Sequence, residues 1–271
     1  MRKQETRRWT IGAIEVVRVP DPDFELILPQ DDATAAILKA TPWLCPEFVT
    51  DDQALRVGSS AIVVRTPSAT IVVDPFLAFD DPARLAPRLA ALRAAGVDPE
   101  RVDVVINTHI DGIGANVHAD GTPAFPVAQY LLPAAELEDA HAGVRGDAGA
   151  AVVALEGLGR VAAAACGEPV TPGVRLEDAP GHNRGHVAVW LESGGTQAVI
   201  TGHLFLHPAQ IANPDVDNGD HDPVTLARTR RSVLARCVRE DIVLIGPLFA
   251  SPGGGKVRQD GASWRLQVAS A

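Results

Sequence analysis

The sequence predicts an α+β protein, an αββα sandwich forming a single domain over residues 1–271. Three observations carry that prediction. Two β-hairpins share one layout, helical segments follow each, and a last apolar strand runs into a Gly/Pro-rich loop.

The chain opens with MRKQETRRWTIG, a basic stretch that no apolar run follows, so no signal peptide is expected. Residues 1–50 are expected to contribute to a cleft rim or to a homodimer contact, through Leu26, Ile27, Leu28 and Trp43. Residues 58–74, GSSAIVVRTPSATIVVD, alternate and are rich in β-branched residues around a Thr-Pro-Ser turn. A helix is expected over 81–95, capped by Asp81 and Pro82, kinked or broken at Pro87 and stopped by Gly96. The second hairpin, 185–203, turns at Ser193-Gly194-Gly195 and ends on Gly202-His203. A second helix, 222–239, starts at Asp222-Pro223, with Val224, Ala227, Val233, Leu234 and Cys237 along one stripe. The strand 241–245 then enters GPLFASPGGGK, whose three glycines lack the ending of a phosphate loop and read as a flexible turn.

Composition narrows the partners. A net charge of −10 and a pI near 5.2 argue against nucleic acid and anionic membranes, both of which need a basic footprint. No apolar run reaches the roughly 20 residues of a membrane span. Cys45, Cys166 and Cys237 have no metal or redox spacing. They read as reduced and mostly structural, with Cys45 buried, in a cytoplasmic protein acting on a small-molecule substrate.

Chemistry is expected at the histidines. His109, His182, His186 and His203 each sit where a strand gives way to a turn, a place from which an imidazole can face a cleft. Asp111 follows His109 by two residues and shares its face on an extended segment. His118, His141 and His221 read as surface residues, and Asp74 as the cap of the turn after its strand.

Several stretches in order, IVVDPFLAFD, INTHIDGIGAN, PGHNRGH, GHLFLHPAQIANPD, DPVTLARTRRSVL and GPLFASPGGGKV, resemble the metallo-β-lactamase-fold hydrolases, most closely the lactonase-like and organophosphate-hydrolase-like branch. The resemblance covers most of the chain and implies the same αββα fold. The family's HxHxDH motif falls on Asn107, Thr108, His109, Ile110, Asp111 and Gly112, so its first and last histidines are gone. His182 keeps the next ligand position. His203 stands where the family has an aspartate bridging two metals, and Leu248 where it has a final histidine.

This ledger implies no dinuclear site. It implies at most one Zn or Fe ion, held by His109, His182 and His203 with Asp111. Asp111, His203 and Asn107 are the candidate catalytic residues, Asn107 through a hydrogen bond to substrate. His186 and His207 are the candidates to back the ligand histidines. The implied function is hydrolysis of an ester, lactone or related bond. The alternatives are a metal-free cleft that binds a small molecule or catalyses a non-hydrolytic step, and a mononuclear iron enzyme, since two histidines and a carboxylate also make an iron triad.

Overall fold

A computed structural model of the protein describes residues 4–28, 32–76, 85–111, 116–143, 147–217 and 219–268. Gly112, Asp81 and Pro82 lie outside them. The elements run β1 (Arg7–Ile11), β2 (Ile14–Pro20), β3 (Leu26–Leu28), α1 (Asp32–Ala40), β4 (Leu55–Val57), β5 (Ser60–Arg65), β6 (Thr70–Val73), α2 (Leu85–Ala94) and β7 (Val104–Ile106). Then come β8 (Gln129–Pro133), α3 (Ala134–His141), α4 (Asp147–Gly157), β9 (Val161–Ala164), β10 (Pro169–Thr171), β11 (Val174–Asp178), β12 (Val187–Ser193) and β13 (Thr196–Ile200). The chain closes with α5 (Ala209–Ala212), α6 (Pro223–Arg239), β14 (Val243–Ile245), β15 (Gly254–Asp260) and β16 (Ser263–Gln267).

The strands form two seven-stranded sheets, ordered β1-β2-β5-β6-β7-β8-β9 and β10-β11-β12-β13-β14-β15-β16, plus the small pair β3-β4. In each large sheet an antiparallel hairpin (β5-β6, β12-β13) leads into a parallel neighbour (β7, β14). The alternation that identified the hairpins sorts their side chains between two layers. Ala61, Val63 and Val72 face α2, α3 and α4, whereas Ile62, Val64, Ile71 and Val73 face the other sheet and meet Val187, Val189, Ala198 and Ile200. A third cluster joins the outer face of the second sheet to α5 and α6 through Trp190, Val199, Leu226 and Leu234. Three apolar interfaces between four layers make the expected sandwich.

Several details depart from expectation. Pro87 sits in the first turn of α2, where backbone N–H groups have no helical acceptor, and the helix runs unbroken to Ala94. Asp222 does cap α6, accepting from the Thr225 N–H at 3.0 Å, but Val224 is 63% exposed, and Leu226 and Arg230 join Ala227, Val233, Leu234 and Cys237 on the buried stripe. Gly254 and Gly255 belong to β15, paired with Ile245 and Leu244; only Gly253 turns. Cys45 is exposed, because its neighbour Leu44 takes the inward position. Trp43 packs on the second sheet's outer cluster, while Leu26 and Ile27 stay 42% and 39% exposed.

Two buried arginines tie loops to this frame through neutral acceptors. Arg18 donates to the carbonyls of Glu5 and Phe249, to Ser251 Oγ and to Gln4 Oε1, and burial pulls its guanidinium down to about 9. Arg230 donates to the carbonyls of Leu204, Pro214 and Val216. Among the described residues, no helix is long and apolar enough to cross a membrane.

Candidate active site

The parallel strands place the site. Asp74 follows β6, His109 follows β7, His203 follows β13 and Leu248 follows β14, and all four border one small cavity with Ser60 and Phe76. His182 joins them from the turn between β11 and β12, with its ring 5.0 Å from that of His109 and 5.2 Å from that of His203. The His109 and His203 rings lie 4.0 Å apart. The structure thus brings His109, Asp111, His182 and His203 together, each offering one ligand atom, all within 4.8 Å of one another.

Asp111 Oδ2 stands 3.7 Å from His109 Nε2 and 3.6 Å from His182 Nε2. A tetrahedral Zn2+ with bonds near 2.0–2.1 Å keeps its ligand atoms roughly 3.3 Å apart, so these two spacings need a small contraction, and the wider ones in a group that spans up to 4.8 Å need a larger one. Among the described residues His182 Nε2 is buried without a hydrogen-bond partner and faces Asp111 Oδ2 at 3.6 Å, so it is a nitrogen that an ion between them could take. The residues present fit a single metal ion. Leu248, 4% exposed, gives the cavity wall an apolar side chain and no ligand for a second.

The hydrogen bonds behind the rings fix which nitrogen faces inward. Thr108 donates its hydroxyl to Asp74 Oδ2 at 2.7 Å, so Thr108 Oγ1 accepts from His109 Nδ1–H at 3.0 Å, leaving Nε2 for the cluster. His182 donates Nδ1–H to Asp220 Oδ1 at 2.7 Å, again leaving Nε2. Burial pushes the Asp74 carboxyl up to about 6, against the bonds from Thr108. For His182, burial opposes charge, yet Asp111 and Asp220 outweigh it and hold the imidazole up to about 9. His203 moves the other way, well below the usual histidine range, through burial and the repulsion of His182 and His186.

The other sequence candidates divide. His186 takes the backbone N–H of His203 on Nε2 at 3.0 Å and gives Nδ1–H to the Ala179 carbonyl, so it holds the ligand's backbone rather than its ring. Burial keeps it neutral, its value pulled down to about 3. The approach is close enough that a Cβ on Gly202 (φ +53°) would lie 2.6 Å from His186 Nε2 and 2.5 Å from Thr108 Oγ1. His207 lies outside the site. It donates Nε2–H to the Phe48 carbonyl at 2.8 Å and accepts from the Ala209 N–H, which ties the 42–49 segment to the second sheet. Asn107 is 1% exposed, and its Oδ1 accepts from Asn116 Nδ2 at 2.8 Å, which leaves its Nδ2 to offer.

Sequence reasoning missed three residues and undervalued a fourth. Asp220 was hidden two places before the recognised cap Asp222. Thr108 sat unremarked inside the motif, and Asp74 was read as a turn cap. Glu136, wholly buried, accepts from the Ile110 N–H, Gly185 N–H and Asn183 Nδ2–H, so it clasps the His109 loop to the His182 loop. Gly185 gives it room: a Cβ there would stand 3.1 Å from Glu136 Cγ.

No curated protein matches the chain in sequence. Among solved structures, AidC, described as a dizinc quorum-quenching lactonase in complex with a product, superposes with a TM-score of 0.85 at 15% identity, over 99% of this chain and 98% of its own. A hydrolase of the beta-lactamase superfamily, AbOPH, gives 0.82 at 19% identity over the whole of both chains. A probable metal-dependent hydrolase from Staphylococcus aureus gives 0.68 at 17% identity, over 97% of this chain and 100% of its own. The sequence itself matches the family described as the metallo-beta-lactamase superfamily over residues 54–246, from the strand before the first hairpin to the glycine that ends β14. On that match, and on the sheet topology that carries it, this chain is a member of the metallo-beta-lactamase superfamily.

Proposed function

We propose that the protein is a hydrolase that opens an ester, lactone or related bond of a small molecule, with one metal ion held by His109, His182 and His203 and with Asp111 beside it as the base, so that a four-coordinate ion keeps a place for water. The observation that carries the reading is their convergence within 4.8 Å, with one Asp111 oxygen 3.6–3.7 Å from two imidazole nitrogens. The superfamily membership and the hydrolase descriptions of AidC and AbOPH support it. A single ion there would supply Lewis acidity and acidify water.

The chain's own groups divide the remaining work. Asp111 is the most open of the four, its side chain 36% exposed, and faces the side from which water and substrate enter. It orients the attacking water and accepts its proton. His203 and His109 line the small cavity beside the apolar side chains of Phe76 and Leu248. Asn107 Nδ2, buried and without a partner among the described residues, would be the donor left to a substrate oxygen.

The test is elemental analysis of protein purified without chelators, together with turnover of a panel of lactones and aryl esters. About one equivalent of zinc or iron, lost with turnover in His109→Ala/His182→Ala, is the expected result. Full turnover by that variant would sink the proposal. So would absence of metal after Zn2+ or Fe2+ is added, which would favour a metal-free cleft in which His182 stays paired with its two aspartates. Redox turnover by an iron-loaded protein would favour the iron enzyme.

A further inference from the structure

The proposed reaction uses the inward face of His182 and says nothing of what holds the ring from behind. His182 stands on a turn between antiparallel strands rather than at the end of a parallel strand. Its position is made by a second loop, residues 219–222, that runs alongside. The His221 N–H donates to the His182 carbonyl at 3.1 Å, and the Asp222 N–H to the Gly181 carbonyl at 2.8 Å. Asp222 then caps α6, and Thr229 two turns later donates to the Pro180 carbonyl at 2.9 Å. Within this lacing Asp220 is fixed at both ends. Its backbone N–H donates to Asp217 Oδ1, and its carboxylate, 5% exposed, takes Nδ1–H of His182 at 2.7 Å.

We propose that Asp220 is a positioning residue for the metal centre: it sets the tautomer and basicity of His182, so that the loop leading into α6 sets how tightly the ion is held. The inference rests on the mononuclear reading above. A carboxylate on the far nitrogen of a ligand imidazole orients the ring and strengthens it as a donor, and its loss typically weakens metal binding about 10- to 100-fold. His109 has only a hydroxyl in that place, with Asp74 one step removed. His182 is the ligand that leans on a direct charge.

The experiment titrates the full chain, stripped by chelator, with Zn2+ in a metal buffer and with Co2+ followed by visible absorption. It compares wild type, Asp220→Asn, Asp220→Ala and Asp222→Ala, and records metal-free thermal unfolding of each. Asp220→Asn keeps the acceptor and loses the charge, and should weaken Zn2+ by about 10-fold; Asp220→Ala loses both and should approach 100-fold, with altered Co2+ bands in each. Asp222→Ala removes the helix cap and leaves the His182 contact, so it should lower the unfolding temperature with little change in Zn2+ affinity. Wild-type affinity and an unchanged Co2+ spectrum in both Asp220 variants would overturn the proposal while leaving the mononuclear site standing. An affinity loss in Asp222→Ala equal to that in Asp220→Ala would overturn it too, by showing that loop stability alone is at work. A wild-type protein that takes up neither ion would overturn the mononuclear reading and this inference with it.

Discussion

The two loops that bring the proposed ligands, residues 107–111 and 181–186, solve one problem by different means. The first leaves β7, a central parallel strand flanked by β6 and β8, and its His109 is 1% exposed. The sheet fixes its start, and the backbone of Val187 pins Thr108 at 3.0 Å. The second spans two antiparallel strands, its His182 side chain is 21% exposed, and it is held by a neighbouring loop, a helix cap and an aspartate. A ligand at the end of a buried parallel strand inherits its place from the core. A ligand on a turn must be given one by polar contacts.

That contrast can be broken or sharpened by substitution. The largest effect is expected from His182→Ala, which removes a ligand that no neighbour replaces: metal content should fall from about one equivalent toward none, and turnover with it, while the fold persists. Retention of metal would show that the two loops are not partners in one site. Next comes Glu136→Ala, which unfastens the loops from each other. It leaves the Ile110 N–H and the Asn183 amide buried, and the Gly185 N–H half-buried, without their acceptor, at about 3 kcal/mol in all. Urea unfolding reads this directly, and a loss below about 1 kcal/mol would mean that water replaces the clasp.

A third test separates the halves by acid. Burial lowers His207 to about 4, whereas an unfolded chain binds that proton near 6.5. Below the unfolded value the unfolded state therefore holds more protons, and stability falls as pH drops from about 6.5 to about 4, by about 3 kcal/mol for this one group. His207→Gln should make the pH dependence of unfolding shallower across that window by this share, leaving the part that His186 and His203 contribute. An unchanged slope would locate the acid sensitivity elsewhere. The smallest effect is expected from Thr108→Val, which cuts the hydroxyl link between His109 and Asp74 while the core-held ring stays in place. A loss of Zn2+ affinity of less than about 10-fold, smaller than that of Asp220→Ala, is the expected order. The reverse order would contradict the distinction between the loops.

The same contrast explains what the sequence could reveal. Hairpins β5-β6 and β12-β13 were legible because period-two alternation and turn chemistry are written within a few residues. The candidate histidines were legible because each lies at a turn next to a strand. Helices α3 and α4 were not assigned, since α4, DAGAAVVALEG, is apolar on nearly every face and has no stripe to read. The supporting carboxylates were illegible for another reason. Asp220 lies 38 residues from His182, and Glu136 lies 49 from Gly185. Before folding, each is one acidic residue among many, and only the topology that folds these segments together distinguishes it. Pro87 misled because a proline's effect depends on its place in the helix, which the residue alone does not disclose.

The guanidinium of Arg18 carries a practical consequence for handling the protein. Two of its acceptors, Gln4 Oε1 and the Glu5 carbonyl, come from the first residues of the described chain, and two more, the Phe249 carbonyl and Ser251 Oγ, from the loop that carries Leu248 to the cavity. A change that removes Gln4 and Glu5 therefore takes two acceptors from the arginine that also holds the wall of the site, from a distant part of the sequence.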